Sequence, residues 1–187
     1  MVKIGFICEG DTDKMVLESA DFQAILNQFN LECVRVEDAD GNGNLLPRHI
    51  EKYRDSLQNF GASKIIILTD LDENACITFT KERLKALPNE FVIISVKTLE
   101  SWFLADSQVM SRLIGQDFNF EFPEKENNPF EKIKSIFQEY TARGVGTKRI
   151  LTRRVLKYGF SIQNAANHPN CPSAKYFLTK LQSIINN

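Results

Sequence analysis

Short apolar, β-branched runs recur along the chain, and segments with helical spacing lie between them. The first run, Lys3 to Cys8, reads as a strand, and the turn Glu9-Gly10-Asp11 leads into a predicted helix from about Thr12 to Phe29, capped by Thr12 or Asp11. A second strand is predicted from Glu32 to Val36. The Glu37-to-Asn44 stretch after it, dense in Asp, Gly and Asn, reads as a loop. Leu46 to Phe60 predicts a helix ended by Gly61-Ala62-Ser63, and Lys64 to Thr69 is the continuous apolar run expected of a central parallel strand. Glu82 to Leu87 reads as a short helix stopped at Pro88, Phe91 to Val96 as the fourth strand, and Leu99 to Leu113 as helix with breaks. Alternating strand and helix predicts an α/β fold with a parallel sheet of about four strands between helices.

Past Gly115 the pattern changes. Phe118, Phe120, Phe122 and Phe130 surround an acidic stretch, rich in Asn and Pro, that reads as a linker or arm. Helices follow at about Phe130 to Tyr140, Thr147 to Tyr158 and Ser173 to Ile185. The organisation this predicts is an α/β core over residues 1–114 and a helical extension over 115–187 packed on that core. No repeat and no low-complexity tract interrupts it.

Composition adds limits. With 187 residues and 43% hydrophobic side chains the chain has ample material for a core. A formal net charge of −1 gives no global attraction to nucleic acid or to anionic membranes, so any such binding must come from a local patch. No run is long enough to span a bilayer and the first residues lack the form of a signal peptide, so the expectation is a cytoplasmic protein with no membrane partner. Cys8, Cys33, Cys76 and Cys171 are far apart with no Cys-x-x-Cys pair, and only His49 and His168 could supply nitrogen ligands. That is not zinc spacing, and the four thiols are expected to be reduced and structural.

The chemistry lies in acids placed just after the apolar runs: Glu9, Asp70 with Asp72, and Glu100. If the runs are neighbouring parallel strands, their C-terminal ends bring these carboxylates to the sheet edge where α/β folds bind ligands. Two carboxylates about 4 Å apart repel by roughly 4 kcal/mol at an effective dielectric near 20. Such a cluster needs a cation or a shared proton, and hard oxygen donors favour Mg²⁺ or Mn²⁺. Gly10 allows the backbone to turn tightly beside whatever Glu9 engages. Side chains two apart at a strand end share a face, so Asp70 and Asp72 can grip one cation while Leu71 turns into the core. The plainer readings are an ordinary helix-starting turn at Glu9-Gly10, a solvated turn at Asp72-Glu73-Asn74, and a Glu100 that only begins a helix. Trp102, the sole tryptophan, reads as a core anchor.

Gly144-Val145-Gly146-Thr147-Lys148-Arg149 opens a helix after two glycines but lacks Walker spacing. Arg143, Lys148, Arg149, Arg153, Arg154 and Lys157 form a basic run without an acid. On a helix, Leu151, Val155 and Tyr158 would share the buried face and leave Arg149, Arg153 and Lys157 as an exposed stripe, either a track for a phosphate backbone or a solvated face. Lys148 is the residue best placed to meet a phosphate.

Taken together, Glu9-Gly10-Asp11-Thr12-Asp13, Asp70-Leu71-Asp72 and Glu100-Ser101-Trp102-Phe103-Leu104-Ala105-Asp106 resemble the Toprim superfamily of topoisomerases, primases and nucleases. More narrowly they resemble a small bacterial Toprim-like family of uncharacterised function with E-G-x-T-E, D-x-D and E-x-W-x-x-A-D motifs. Asn128-Pro129 and Cys171-Pro172-Ser173 extend the likeness over nearly the whole chain. The resemblance implies a Rossmann-like sheet of about four parallel strands, a Mg²⁺ site, and nucleic-acid cleavage or defence against mobile elements. By position it makes Glu9 the proton-transfer residue and Asp70 and Asp72 metal ligands. From its place after the strand Phe91 to Val96, Glu100 is expected to reach the same edge and support a second ion, with Glu9 also among the ligands. Here Asp13 stands where that pattern has its second Glu, and Glu73-Asn74 where many Toprim proteins have glycine. The expected activity is a Mg²⁺-dependent nuclease or related phosphodiester-transfer enzyme, with Gly10, Lys148, Arg149 and Arg153 on the substrate. The alternatives are a phosphatase or nucleotidyl transferase on a small phosphorylated molecule, and a non-catalytic subunit that docks an ATPase partner.

Overall fold

In the computed structural model, residues 1–72 and 76–186 are described. They divide into two compact units, residues 1–94 with 179–187, and residues 95–178. The helices that begin at Glu100 and Ser107 thus belong with the second unit.

The first unit holds β1 (Val2–Cys8), α1 (Asp11–Leu17), α2 (Ala20–Gln28), β2 (Leu31–Asp38), α3 (Pro47–Asn59), β3 (Lys64–Asp70), α4 (Ile77–Leu84) and β4 (Glu90–Ser95). The four strands form one all-parallel sheet in the order β2-β1-β3-β4. β1 pairs with β2 from Val2↔Leu31 to Cys8↔Asp38 and with β3 from Ile4↔Lys64 to Cys8↔Leu68. Ile4, Phe6, Ile7 and Cys8 are fully buried, as a strand covered on both faces requires. Ile65 and Ile67 of β3 pack in one cluster with Ile50 and Leu57 of α3 and Leu84 of α4, and Leu71 lies against it as expected. Gly5 lets α3 settle on the sheet, because a Cβ there would stand 2.7 Å from the Leu57 side chain.

The helix expected from Thr12 to Phe29 is two helices. Ser19 is extended (φ −65°, ψ 147°), its hydroxyl donates to Val16 O at 2.7 Å, and its oxygen accepts from Phe22 N at 3.3 Å, so one side chain closes α1 and caps α2. Gly10, not Thr12 or Asp11, is the N-cap of α1. β2 runs on through Asp38, and a 3₁₀ turn at Asn42–Leu45 lies inside the expected loop. α4 begins and ends earlier than expected, at Ile77 and Leu84, with Lys85 left-handed (φ 46°) beyond it.

The second unit contains α5 (Glu100–Ala105), α6 (Ser107–Ile114), α7 (Pro129–Thr141), α8 (Lys148–Lys157), α9 (Ile162–Asn167) and most of α10 (Pro172–Ser183). Trp102 is fully buried, donates to Ser173 Oγ at 2.7 Å and stacks on Phe177, so it is the core anchor expected. Asp106 breaks the α5–α6 segment. Its buried carboxylate caps Val109 N at 3.1 Å and accepts from Ser161 N at 3.0 Å and from the Asn164 amide. The Trp and Asp of the E-x-W-x-x-A-D stretch therefore hold this unit together. Tyr158 departs from expectation: α8 ends at Lys157, so Tyr158 leaves the helical period and is 43% exposed, while Leu151 and Val155 are buried. No described helix is long and apolar enough to cross a membrane.

Candidate functional site

From β1 the chain passes to β2 on one side and then to β3 on the other, so β1 and β3 meet where the strand order reverses. In open α/β sheets, ligands bind beyond the carboxyl ends of the strands at such a switch point. Glu9 directly follows β1, and Asp70 is the last residue of β3. The two ends touch: Glu9 Oε2 accepts from Thr69 Oγ1 at 2.8 Å and from the Asp70 backbone N–H at 3.2 Å. Thr69 is 1% exposed, so its hydroxyl needs a partner, and Glu9 supplies it.

The loop after β2 closes over the same edge. Gly41 N donates to Glu9 O at 2.7 Å, Ala39 N to Cys8 O at 2.9 Å, and Asn42 Nδ2 to Asp72 Oδ2 at 3.4 Å. Tyr53 of α3 and Asn44 both donate to Ala39 O, at 3.1 and 2.8 Å, which fixes the loop from behind. Glu9, Asp70 and Asp72 are each half-buried. β3 ends at Asp70 and Asp72 is left-handed (φ 50°), so strand alternation does not carry through to Asp72; the Asn42 contact orients it instead. The turn read at Asp72-Glu73-Asn74 falls in part outside the described residues.

Burial pushes the Glu9 carboxyl above its ordinary value and repulsion from Asp72 adds to this, against the Thr69 and Asp70 hydrogen bonds and the charge of Arg83. Arg83, on the last turn of α4, has Nε and Nη2 buried without a hydrogen-bond partner among the described residues. Its field reaches Glu9, yet the Glu9 carboxylate is engaged by β3 rather than by the guanidinium. Asp13, 5% exposed, accepts from Gly10 N at 3.0 Å. In this chain the second acid of the E-G-x-T-E pattern thus satisfies the first backbone donor of α1 and holds the Glu9-Gly10 turn.

The donors at this edge are carboxylate oxygens, which suit a hard divalent cation. The neighbouring thiol, Cys8, is buried, pushed up by desolvation, and directed at Gly10 O and Glu37 O. Among the described residues no three His, Cys, Asp or Glu side chains already converge as a metal cage. Glu9, Asp70 and Asp72 suit Mg²⁺ in donor type alone, since as placed they do not form such a cage.

Glu100 lies in the second unit as the first residue of α5, 2% exposed, and Lys148 Nζ stands 3.2 Å from its Oε1 and 3.3 Å from its Oε2. The acid expected to support a metal and the lysine expected to meet a phosphate are therefore paired with each other. Arg149, Arg153 and Lys157 are exposed along α8, as the stripe requires. All four cysteines are free; Cys8 and Cys171 are buried, but Cys76 is exposed and is not a core residue.

Thr69, Asn42 and Arg83 were not singled out by the sequence. The polar end of an otherwise apolar strand could have marked Thr69, and Asn42 sits in the turn-rich loop after β2. Nothing local marks Arg83. No family model, no curated protein and no solved structure matches the chain.

Proposed function

We propose that the protein is a Mg²⁺-dependent nuclease or related phosphodiester-transfer enzyme of Toprim type. The observation that carries this reading is the meeting of Glu9 with Thr69-Asp70 at the switch point between β1 and β3. Asp70 and Asp72 would hold the cation, which when bound supplies charge to polarise a phosphoryl oxygen. Glu9, its pKa raised by burial, holds a proton at a pH nearer neutrality than an ordinary glutamate and is suited to pass it to or from the reacting oxygens. Thr69 fixes the Glu9 carboxylate in place, and Arg83, whose buried Nε and Nη2 have no hydrogen-bond partner among the described residues, adds positive charge near it. In the second unit, Lys148, Arg149 and Arg153 supply positive charge for a polyanionic substrate, and Glu100 orients Lys148. Defence against mobile elements is a setting in which such an enzyme would act.

Purified protein is expected to hydrolyse plasmid DNA or RNA with Mn²⁺ and not with EDTA, and Asp70→Ala is expected to lower the rate by at least about a hundredfold. Equal activity of Asp70→Ala, or hydrolysis that persists in EDTA, would overturn the proposal. Cleavage of small phosphoesters alone would move the substrate to that class.

A further inference from the structure

The second unit contains a cleft of about 460 Å³ that lies apart from the Glu100–Lys148 pair in its lining and has no acid in its wall. Its floor is Ile114 of α6 and Phe137 of α7, both buried. Its rim carries Tyr140 and Tyr158, each 43% exposed, with Arg143, Arg154 and Lys157 beside them. The size is that of a small-molecule site, within the roughly 300–1,000 Å³ usual for one.

Three helices, α6, α7 and α8, end around this cleft, and cations gather at helix C-termini simply to meet the last carbonyls. The hydrogen bonds do not follow that pattern. The Tyr158 carbonyl beyond α8 is taken by Arg112 from outside the cleft, at 2.7 Å, and Arg154 donates to Gly144 O in the loop at 3.1 Å. Among the described residues, no hydrogen bond or ion pair engages the side chains of Arg143 or Lys157. Two exposed aromatic rings over an apolar floor, with two uncommitted cations at their side, answer to a flat ring carrying an anion. A lipid tail or an acidic peptide would use only one half of that surface.

Lys157 also ends the exposed Arg149, Arg153, Lys157 stripe of α8. The cleft therefore opens onto a cationic track, which a free mononucleotide would leave unused and a continuing backbone would follow. We infer that this cleft binds a nucleotide of single-stranded nucleic acid, its base on Tyr140 and Tyr158 and its phosphates along Arg143, Lys157 and the stripe. A duplex keeps its base faces stacked, so it cannot occupy the aromatic rim. The inference rests on the second unit alone and does not need the acidic edge of the first.

Fluorescence anisotropy with labelled oligothymidylate and the full chain tests it. Tyr140→Ala and Tyr158→Ala are each expected to weaken binding by about tenfold, in keeping with base stacking on an aromatic ring. Lys157→Gln is expected to reduce the slope of log affinity against log salt by about 0.7, and a matching duplex to bind at least about tenfold more weakly. Both tyrosines are exposed, so circular dichroism should show these variants folded. Binding is measured in EDTA, where the acidic edge holds no cation, so failure of hydrolysis bears on the nuclease reading and failure of binding on this inference. No binding at low salt, tyrosine variants that bind unchanged, a duplex held as tightly, or thymidine monophosphate competing as well per molecule as the oligomer would each overturn it.

Discussion

Glu9 combines a proton-holding environment with a fixed position, and the two have separable consequences. Its folded pKa lies above the ordinary 4.5 because of burial first and the Asp72 charge second. A raised carboxyl pKa stabilises the folded state below the ordinary value, and that contribution is lost as pH rises through the folded pKa. Glu9→Gln keeps an oxygen to accept from Thr69 and Asp70 N and carries no charge. Urea unfolding should therefore show the variant at least as stable as wild type near pH 8, with a smaller loss of stability between about pH 4 and pH 8. Its hydrolytic rate should fall by about a hundredfold or more if Glu9 moves the proton. A variant less stable than wild type at the alkaline end would show that the carboxylate is held by something stronger than the contacts described.

At the scale of elements, the apolar runs at Lys3–Cys8, Lys64–Thr69 and Phe91–Val96 were enough to predict parallel strands, since only a sheet covered on both faces tolerates them. The placement of Glu9 and Asp70 at one edge followed from that. The boundaries set by single side chains were not legible: Ser19 splits one predicted helix and Asp106 another through hydrogen bonds that no periodicity encodes. Short α9 gave too little pattern to see. Tyr158 was misplaced because the helical period was carried one residue past its end. The anchor between α3 and β4 was also hidden. Arg54 forms paired 2.6 Å hydrogen bonds with Glu90, which begins β4, and both side chains are almost wholly buried. Glu90→Gln leaves the buried Arg54 only Glu51, exposed and 2.7 Å from its Nη1, as an ion-pair partner, so it is expected to cost about 3 kcal/mol in denaturant unfolding, and Arg54→Met with Glu90→Leu to recover most of it. A loss below about 1 kcal/mol for Glu90→Gln would mean that Glu51 and water together are enough to satisfy Arg54.

For the molecule as a whole, net charge carries no information about partners, and the local patches do. The acid cluster belongs to the first unit and the basic cleft to the second. The first unit is discontinuous, taking in residues 179–187 after the whole of the second. Leu181 and Ile184 in that segment are 1% and 2% exposed. Truncation after Leu178 should lower the melting temperature measurably even though the acidic edge is far away in sequence, and Leu181→Ala alone should cost about 2–4 kcal/mol. An unchanged melting temperature would mean that the segment adds nothing to that core.

That discontinuity also orders events during synthesis. Residues 1–94 are made before the intervening helices and lack the side chains that complete their core until residues 179–187 follow. A nascent chain stalled anywhere before residue 179 would therefore carry the acidic edge on an unfinished scaffold, and the phosphate chemistry proposed for it would come into force only once that segment has been made.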